Sequence, residues 1–460
     1  MRRFILLVAL TLAFPVSALA QSAPGAVPPL QAPGSAVTGG AEGTLSFARF
    51  GEDYFLNLTL GTAFSVGKFS FGIQAPLKIR VIDKDPEDDK WYREEDWDSF
   101  SDWTRIMRFF QYGSPKDPFY LRLGELVSAS IGHGTIVGRY YNSLDIDNYY
   151  TGLWTAVNLE QGGVELMTNN ILQWNLTAVR GYVRPFSFFE TAHPMLKTVA
   201  VGTTFAADFL APSRSASQAL IDASELETEV SASFWGIDAE IEVLRNEMLG
   251  ITPYTDLNVF GGNGVGWHLG VLNELSALKS TFQLRLEYRL LSARYGPSYF
   301  NTLYDVERVT FLPLPQFSES SPNPAVPKYW YYKEATGLKL RHGFYGELFA
   351  NLGGLFGLGG IYEDYQGPDN ANVTLRVDLP VIASLKASAY YMRRNFDGFS
   401  ELFELDNAWL IAELRYQFMG PIYAYGVFSR YWREITDEDG FTAYDATDSY
   451  QFGIGASFTF

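Results

Sequence analysis

The chain has 460 residues, a formal net charge of −17 and no cysteine. The acidic balance argues against a nucleic-acid partner, and the lack of cysteine excludes disulfides and a lipoprotein anchor. Aromatic residues make up 16% of the chain. Beyond residue 20, however, no run of about eighteen apolar residues could form a spanning helix. High aromatic content without long apolar runs is typical of strands that have one apolar and one polar face.

The N-terminus has the three parts of a secretory signal peptide. Arg2 and Arg3 precede an apolar run, Phe4 to Ala13, and the triplet Ala18-Leu19-Ala20 follows it. This order predicts a signal peptide over residues 1–20 and export of the mature chain. The alternative, an amphipathic or buried helix of the mature fold, is disfavoured. The apolar run is also too short to span a bilayer.

Residues 21–42 are rich in Pro, Gly, Ala and Ser and are predicted to form a disordered tether. No second linker follows, so residues 43–460 are predicted to be one domain. A two-residue period recurs through this domain, as in TFQLRLEYRL from Thr281 to Leu290. A secreted β-sandwich or propeller would also alternate, but runs of about ten to fifteen residues are the length that crosses a bilayer. The pattern predicts an all-β fold, a single antiparallel transmembrane barrel of about 18 strands (range about 16–20).

The chain finishes on SYQFGIGASFTF, in which apolar residues alternate with small or polar ones up to Phe460. Together with the signal peptide and the barrel pattern, this ending resembles Gram-negative outer-membrane β-barrel proteins of the porin type. The resemblance implies that Phe460 ends the signal read by the barrel-assembly machinery. It also implies an outer-membrane location among lipid and lipopolysaccharide, with both termini in the periplasm. No particular family is resembled, so no functional residue is carried over, and monomer and trimer both remain open.

The polar phase of the strands predicts which charges line the lumen. The predicted basic side is Lys78, Arg80, Arg285, Arg289, Lys339, Arg341 and Arg415, and the predicted acidic side is Asp238, Glu240 and Glu242. The apolar phase slips at Trp235-Gly236, which predicts a β-bulge or a tight turn there. Charges on different wall sectors would orient solutes, although inward charges could also pair and fill the lumen. Confinement strengthens the field of lumen charges, so a weak preference for anions is predicted despite the acidic chain.

Two classes of function fit these features. The first is a channel, a porin or substrate-selective transporter, for small hydrophilic solutes. The second is a non-conducting barrel that holds a polysaccharide or another cell-surface partner through long outer loops. A channel for hydrophobic ligands would need an apolar lumen, which the inward Arg and Lys disfavour. Residues 296–336, rich in Pro and aromatics, are predicted to form an ordered lid or an inward-folded constriction.

Catalysis, metal binding and cofactors are not expected. No G-x-S-x-G motif is present, and nothing places a Ser and an acid beside any of the four His. Residues 83–98 are strongly acidic, but Asp88 stands where a calcium-binding EF-hand loop needs glycine. A solvated acidic loop is the preferred interpretation, and a looser divalent site at the lipopolysaccharide surface is the alternative.

Overall fold

A computed structural model describes the chain from residue 38 to residue 459. Within this span it leaves out residues 51–52, 85–89, 99, 144–148, 212–230, 263, 309–310, 312–326, 334, 336–339, 354–355, 369, 383, 399, 404–407 and 437–441. The predicted signal peptide, most of the predicted tether and the predicted assembly signal at Phe460 therefore lie outside the described residues. No helix of the described part is long and apolar enough to cross a membrane.

The described residues form 21 strands in a single sheet. The strands are β1 Thr38–Phe50, β2 Asp53–Val66, β3 Phe69–Ile82, β4 Met107–Tyr112, β5 Phe119–Gly124, β6 Gly152–Asn158, β7 Gly162–Thr168, β8 Leu176–Val183, β9 Ala200–Asp208, β10 Ala232–Glu240, β11 Leu244–Arg245, β12 Leu249–Phe260, β13 Gly264–Ala277, β14 Ser280–Leu291, β15 Arg341–Leu352, β16 Phe356–Tyr365, β17 Ala371–Ile382, β18 Leu385–Phe396, β19 Ala408–Met419, β20 Ile422–Thr436 and β21 Thr442–Thr459. Four short helices lie in the connections: α1 Phe100–Trp103, α2 Pro194–Lys197, α3 Tyr304–Glu307 and α4 Lys328–Lys333.

The sheet closes on itself as a barrel. Each long strand pairs antiparallel with its neighbours in the chain, and β10 pairs directly with β12 because β11 has only two residues. The first and last strands also pair, from Gly40 opposite Thr459 to Ala48 opposite Gln451. Closure leaves the described sheet without a free edge strand, which is the condition for a sheet to lie in a bilayer.

Twenty strands cross the barrel, more than the predicted number of about 18 and at the upper end of the predicted range of about 16–20. Strands β4 and β5 have only six residues each and β6 and β7 only seven, so they carry a weaker alternating pattern than the longer strands. Strand β4 is short partly because the connection after β3 folds back and pairs with β3 itself. The backbone N–H of Arg80 donates to the carbonyl of Trp91 (2.8 Å), and that of Arg93 donates to Lys78 (3.1 Å). This segment occupies hydrogen bonds of β3 that a longer β4 would use.

Two further expectations are corrected by the pairing. Strand β1 begins at Thr38, so residues 38–42, assigned to the tether by composition, pair with β2 as part of the barrel. The bulge or tight turn predicted at Trp235-Gly236 is absent, because the described β10 pairs without a register shift on both sides. The apolar phase changes there because Phe234 points inward and packs on buried rings, whereas Trp235 is exposed on the outer face.

The two faces of each strand are chemically distinct. On β14 the buried side chains Arg285 and Glu287 alternate with the exposed Leu286. The same outer face carries Phe344 on β15 (64% exposed) and Phe452 on β21 (66% exposed). Apolar side chains outside and charged side chains inside are the arrangement of a barrel surrounded by lipid.

The longest connections lie at one end of the barrel. At the other end, which holds both termini, most connections are short, as at 67–68, 113–118, 159–161, 278–279 and 420–421. At the opposite end, the β5–β6 connection (125–151) and the β14–β15 connection (292–340) are long. Their described residues supply much of the largest buried apolar cluster, so both connections fold into the barrel rather than away from it.

Candidate functional site in the barrel lumen

The β5–β6 connection forms a loop inside the lumen, which we call the inner loop (residues 125–143). Leu126, Ala129, Val137 and Tyr140 on it are fully buried. Its two arms are held together because Ala129 and Tyr140 exchange backbone hydrogen bonds of 2.9 and 2.8 Å. The inner loop therefore extends from the wall into the lumen, and its hydrogen bonds give it a defined shape.

The β14–β15 connection packs on the inner loop. Val137 and Phe300 form a parallel bridge, and Ser298 N–H donates to the Thr135 carbonyl (2.8 Å). The ring of Tyr295 lies on Gly266 of β13, where a Cβ would overlap it. Glycine at this wall position thus makes room for the loop. The prediction that residues 296–336 include an inward constriction agrees with the burial of the described residues of that loop.

Ion pairs fasten this second loop to two sides of the wall. Arg308 lies 2.9 Å from Asp208 of β9, and the Tyr304 hydroxyl donates to the same carboxylate (2.8 Å). On the other side, Glu307 accepts from both Lys328 of α4 and Arg394 of β18. Burial lowers the pKa of Lys328 to about 8, although the Glu307 carboxylate opposes this shift.

A histidine at the tip of the inner loop contacts the acidic part of the wall. His133 Nδ1 lies 2.7 Å from Asp256 Oδ1, and Nε2 lies 3.0 Å from Glu240 Oε2. The ring stacks on Tyr254 at 4.0 Å, and Thr135 donates to Asp256 (2.6 Å). Burial by itself lowers the pKa of His133, but the two carboxylates outweigh it and raise the pKa to about 9. His133 is therefore a cation near neutral pH.

This pKa predicts a pH dependence of stability. The folded-state pKa of His133, about 9, exceeds the ordinary 6.5. Protonated His133 therefore stabilises the folded protein fully below about pH 6.5, and this contribution is lost as the pH rises through 9. We expect the difference in unfolding free energy between the wild type and His133→Gln to shrink by about 3 kcal/mol between pH 6 and pH 10. Chemical denaturation in detergent at several pH values measures it. Thr135→Val is the control, because it removes another hydrogen bond to Asp256 without removing a titrating group. The difference in unfolding free energy between the wild type and Thr135→Val should therefore not change with pH. A constant difference for His133→Gln would contradict the assignment.

Beside this histidine the wall carries an acidic cluster. Arg180 of β8 donates to Asp238 (2.6 and 3.0 Å) and to Glu165 (2.7 Å), and the Gly132 N–H also donates to Glu165 (3.0 Å). A small pocket opens here, lined by Ile131, Gly132, His133, Thr135, Ile136, Thr204, Gly236, Asp238, Asp256 and Asn258. Among the ion pairs described, the four carboxylates of this sector share only two cations, Arg180 and His133, so the sector is acidic; the carboxylates are Glu165, Asp238, Glu240 and Asp256.

Strands β14 and β15 carry a second charged cluster. Glu287 has no exposed side-chain surface and accepts from both Arg285 and Arg289. Arg289 also lies 2.9 Å from Glu363. Arg139 at the base of the inner loop donates to Glu347 of β15 (3.0 Å) and stacks on a ring of the same strand. Arginines and carboxylates nearly balance in this sector.

The predicted basic residues lie on the inner face, but most are paired with acids. Lys78 contacts Asp96 (2.7 Å), Arg80 contacts Asp53 (3.1 Å), and Arg415 contacts Glu42 (2.6 Å). Arg285 and Arg289 share Glu287, as described above. Arg341 donates to the backbone carbonyl of Tyr295 (3.2 Å). Lys339 lies outside the described residues.

Among the predicted acids, Asp238 and Glu240 belong to the acidic cluster, but Glu242 does not. Strand β10 ends at Glu240, so Glu242 lies in the hairpin beyond it and accepts from the exposed Arg245 (2.8 Å). Reasoning from strand periodicity missed His133, Arg139 and Thr135 because they lie on a loop with no repeating pattern. The segment IGHGTIVGR, with three glycines around a histidine, was the only signal in that region.

One inward lysine has a different environment. Lys386, near the start of β18, stands directly opposite Arg415 of β19 in the strand register. Such pairs bring Cβ atoms to about 5 Å, and like charges in this position repel. Arg415 is held by Glu42 and Glu413. Within the described residues, Lys386 forms no hydrogen bond or ion pair, although the carboxylates of Glu42, Asp378 and Glu413 act on it at longer range.

Comparisons with known proteins return structures but no sequence relatives. No family model and no curated protein matches the chain. The outer membrane protein opdK of Pseudomonas aeruginosa is 9% identical, with 92% of this chain and 99% of that chain covered and a TM-score of 0.33. OccK11 (OpdR) of the same organism is 10% identical over 92% and 96%, with a TM-score of 0.33. OccAB3 of Acinetobacter baumannii is 10% identical over 92% and 99%, with a TM-score of 0.34. Likeness at this level supports no argument about substrate or site.

The architecture itself decides the class. Closure between β1 and β21, an apolar outer face and a charged interior occur together in barrels that span the outer membrane. The chain forms a porin-type outer-membrane β-barrel. The predictions of class and location are confirmed. Because such barrels have short periplasmic turns and longer extracellular loops, the end with the tight turns and both termini is periplasmic. The inner loop therefore enters from the extracellular side. In the part of the chain that is described, no group of three or more His, Asp or Glu could hold a metal ion.

Proposed function

We propose that this barrel is a channel for small hydrophilic solutes whose passage is narrowed by the inner loop and by the β14–β15 connection. The observation that carries the proposal is the polar interior of a closed 20-stranded barrel. Barrels of about 16–18 strands already enclose an aqueous channel, so the wall alone leaves room for water. The two loops reduce this space to a site lined by charged side chains, which favours a selective channel over a wide diffusion pore.

A non-conducting barrel that binds a surface partner is the second candidate, and the burial of both loops favours it. Planar-bilayer recordings of the purified protein separate the two. Stable unitary currents support the channel. Complete absence of currents in several buffers and voltages would support the binding barrel instead. In either case, lipopolysaccharide around the barrel and the assembly machinery acting on the strand that ends at Phe460 are proposed partners, and no catalytic role is proposed.

We further propose a weak preference for anionic solutes. The acidic residues of the His133 sector are partly compensated by Arg180 and His133, and the Arg285 sector is nearly balanced. The side chain of Lys386 adds a positive charge that forms no ion pair with a described acid, although Glu42, Asp378 and Glu413 act on it at longer range. A charge inside the lumen acts over about 8 Å at physiological ionic strength, whereas charges on the exposed loops are screened by solvent. The proposed preference is local: the lumen around Lys386 can favour anions although the His133 sector is acidic and the whole chain carries −17.

Reversing the charge of Lys386 tests this preference. We expect Lys386→Glu to lower the ratio of chloride to potassium permeability roughly twofold, because the variant places a carboxylate beside the path. Reversal potentials in a potassium chloride gradient measure the ratio. Lys279→Glu is the matched control, since Lys279 is exposed in the periplasmic turn between β13 and β14. Equal ratios for wild type and Lys386→Glu would show that this lysine does not govern passage.

A further inference from the structure

One periplasmic connection differs from the other turns at that end. Residues 184–199 join β8 to β9, whereas the hairpins at 159–161 and 278–279 turn within three residues or fewer. The connection contains a 310 turn, Pro185–Phe188, and the helix α2. Its length is not needed to link two neighbouring antiparallel strands, so the extra residues require another explanation.

The connection has a fixed shape. Internal backbone hydrogen bonds run from Phe189 to Phe186 (3.3 Å) and from Leu196 to His193 (2.9 Å). At its start, Arg184 N–H donates to the Gln161 carbonyl of the adjacent hairpin (2.7 Å). At its end, Glu242 N–H donates to the Thr198 hydroxyl (3.0 Å). Both ends are thus tied to neighbouring hairpins, and the residues between them are held in one arrangement.

That arrangement exposes apolar side chains. We define the apolar turn as residues 186–196. Its exposed apolar side chains are Phe186 (39%), Phe188 (63%), Phe189 (60%), Met195 (38%) and Leu196 (38%). Glu190 is the only charged residue within it, apart from any charge on His193. An ordered group of exposed rings with so little charge is unfavourable in water and marks an interaction surface.

We propose that the apolar turn lies in the periplasmic leaflet of the membrane, at the boundary between lipid headgroups and acyl chains. The first reason is continuity with the lipid-facing surface of the barrel. Leu159 (58%), Val183 (44%) and Val201 (46%) are exposed at the adjoining strand ends, next to both ends of the connection. Aromatic side chains are enriched at this depth of a membrane, and apolar segments can lie there in the plane of the interface.

The second reason is the balance of the exposed residues. The exposed polar side chains of the apolar turn are Glu190, Thr191 and His193, and Arg184 and Lys197 flank it. Apolar side chains with basic residues beside them are typical of segments that lie in the interface of a membrane with anionic lipids, so lipid is the occupant that this composition fits. An anchor here would fix the depth of β8 and β9 in the bilayer. These strands carry Arg180 and Thr204 of the acidic sector, so the anchor would hold the wall on which the His133 cluster is built.

Depth-dependent quenching tests the proposal, which requires only that the barrel lies in a bilayer and not that it conducts. Because the chain has no cysteine, one introduced cysteine gives a single labelling site. The probe is an environment-sensitive dye at Phe188→Cys, in phosphatidylethanolamine–phosphatidylglycerol vesicles with lipids brominated near the carbonyl end of the acyl chain. The reference site inside the lipid belt is Phe344→Cys, and the water-exposed control is Ser114→Cys in the charged turn 113–118.

We expect brominated lipid to reduce the emission at residue 188 about as strongly as at 344, with little change at 114. Emission at 188 that behaves like that at 114 would overturn the proposal. Emission at 188 could instead be unaffected by brominated lipid but change when the protein is diluted into excess lipid. That result would also overturn the proposal, because the apolar turn would then contact a second copy of the chain. Heat-dependent electrophoretic mobility checks that each labelled variant is a folded barrel.

Discussion

Removing the tip of the inner loop is expected to raise the single-channel conductance by roughly threefold or more, because open cross-section controls ion flow through a wide barrel. The variant replaces residues 130–139 with Asn-Gly. Ala129 and Tyr140 already exchange two backbone hydrogen bonds, so a two-residue turn can join them without moving the wall strands. Planar-bilayer recording measures the change, and mobility on unheated gels confirms folding.

A milder variant distinguishes the effect of the loop backbone on conductance from the effect of the loop side chains. Ile131→Ala with Val137→Ala keeps the loop in place and truncates two buried side chains, so conductance should rise much less. Equal conductance of wild type and loop-deleted protein would mean that the inner loop does not limit passage. Currents from the deleted variant alone would identify the loop as a plug and would favour the surface-binding function for the intact protein.

The largest loss of stability is expected from Glu287→Ala. The Glu287 carboxylate is fully buried between Arg285 and Arg289 and accepts a hydrogen bond from the Tyr254 hydroxyl at 2.5 Å. Its removal leaves Arg285 without an ion-pair partner among the described residues and Arg289 with Glu363 alone. Breaking a buried ion pair in this way costs about 3–5 kcal/mol. Equilibrium unfolding in urea from lipid vesicles measures the free energy.

Glu274→Ala is the matched control on the neighbouring strand β13. Glu274 also pairs with two cations, Lys116 and Arg245, but it lies at the exposed periplasmic end. Exposed ion pairs contribute up to about 1 kcal/mol, so the control should lose no more than that. Similar losses for both variants would show that burial does not set the strength of these pairs.

Periodicity predicted the class of fold well because it depends on a local property. Side chains alternate across a strand whatever the rest of the chain does, so the strand from Thr281 to Leu290 could be recognised in isolation. The number of strands came out slightly low, and short strands give the least local signal. From β4 to β7 the sequence offers six or seven residues per strand, and the pairing of residues 91–93 with β3 depends on contacts that no local pattern encodes.

The sequence by itself determined that alternating strands form a barrel with an apolar outside, and which wall positions carry charge. Only the tertiary structure decided how those charges meet. Arg139 contacts Glu347, which lies 208 residues away in the chain, and His133 contacts Asp256, 123 residues away. Charge pairing acts through space, whereas periodicity acts along the chain. The inner loop, which has no period at all, became part of the site only because barrel closure places it against strands from distant parts of the sequence.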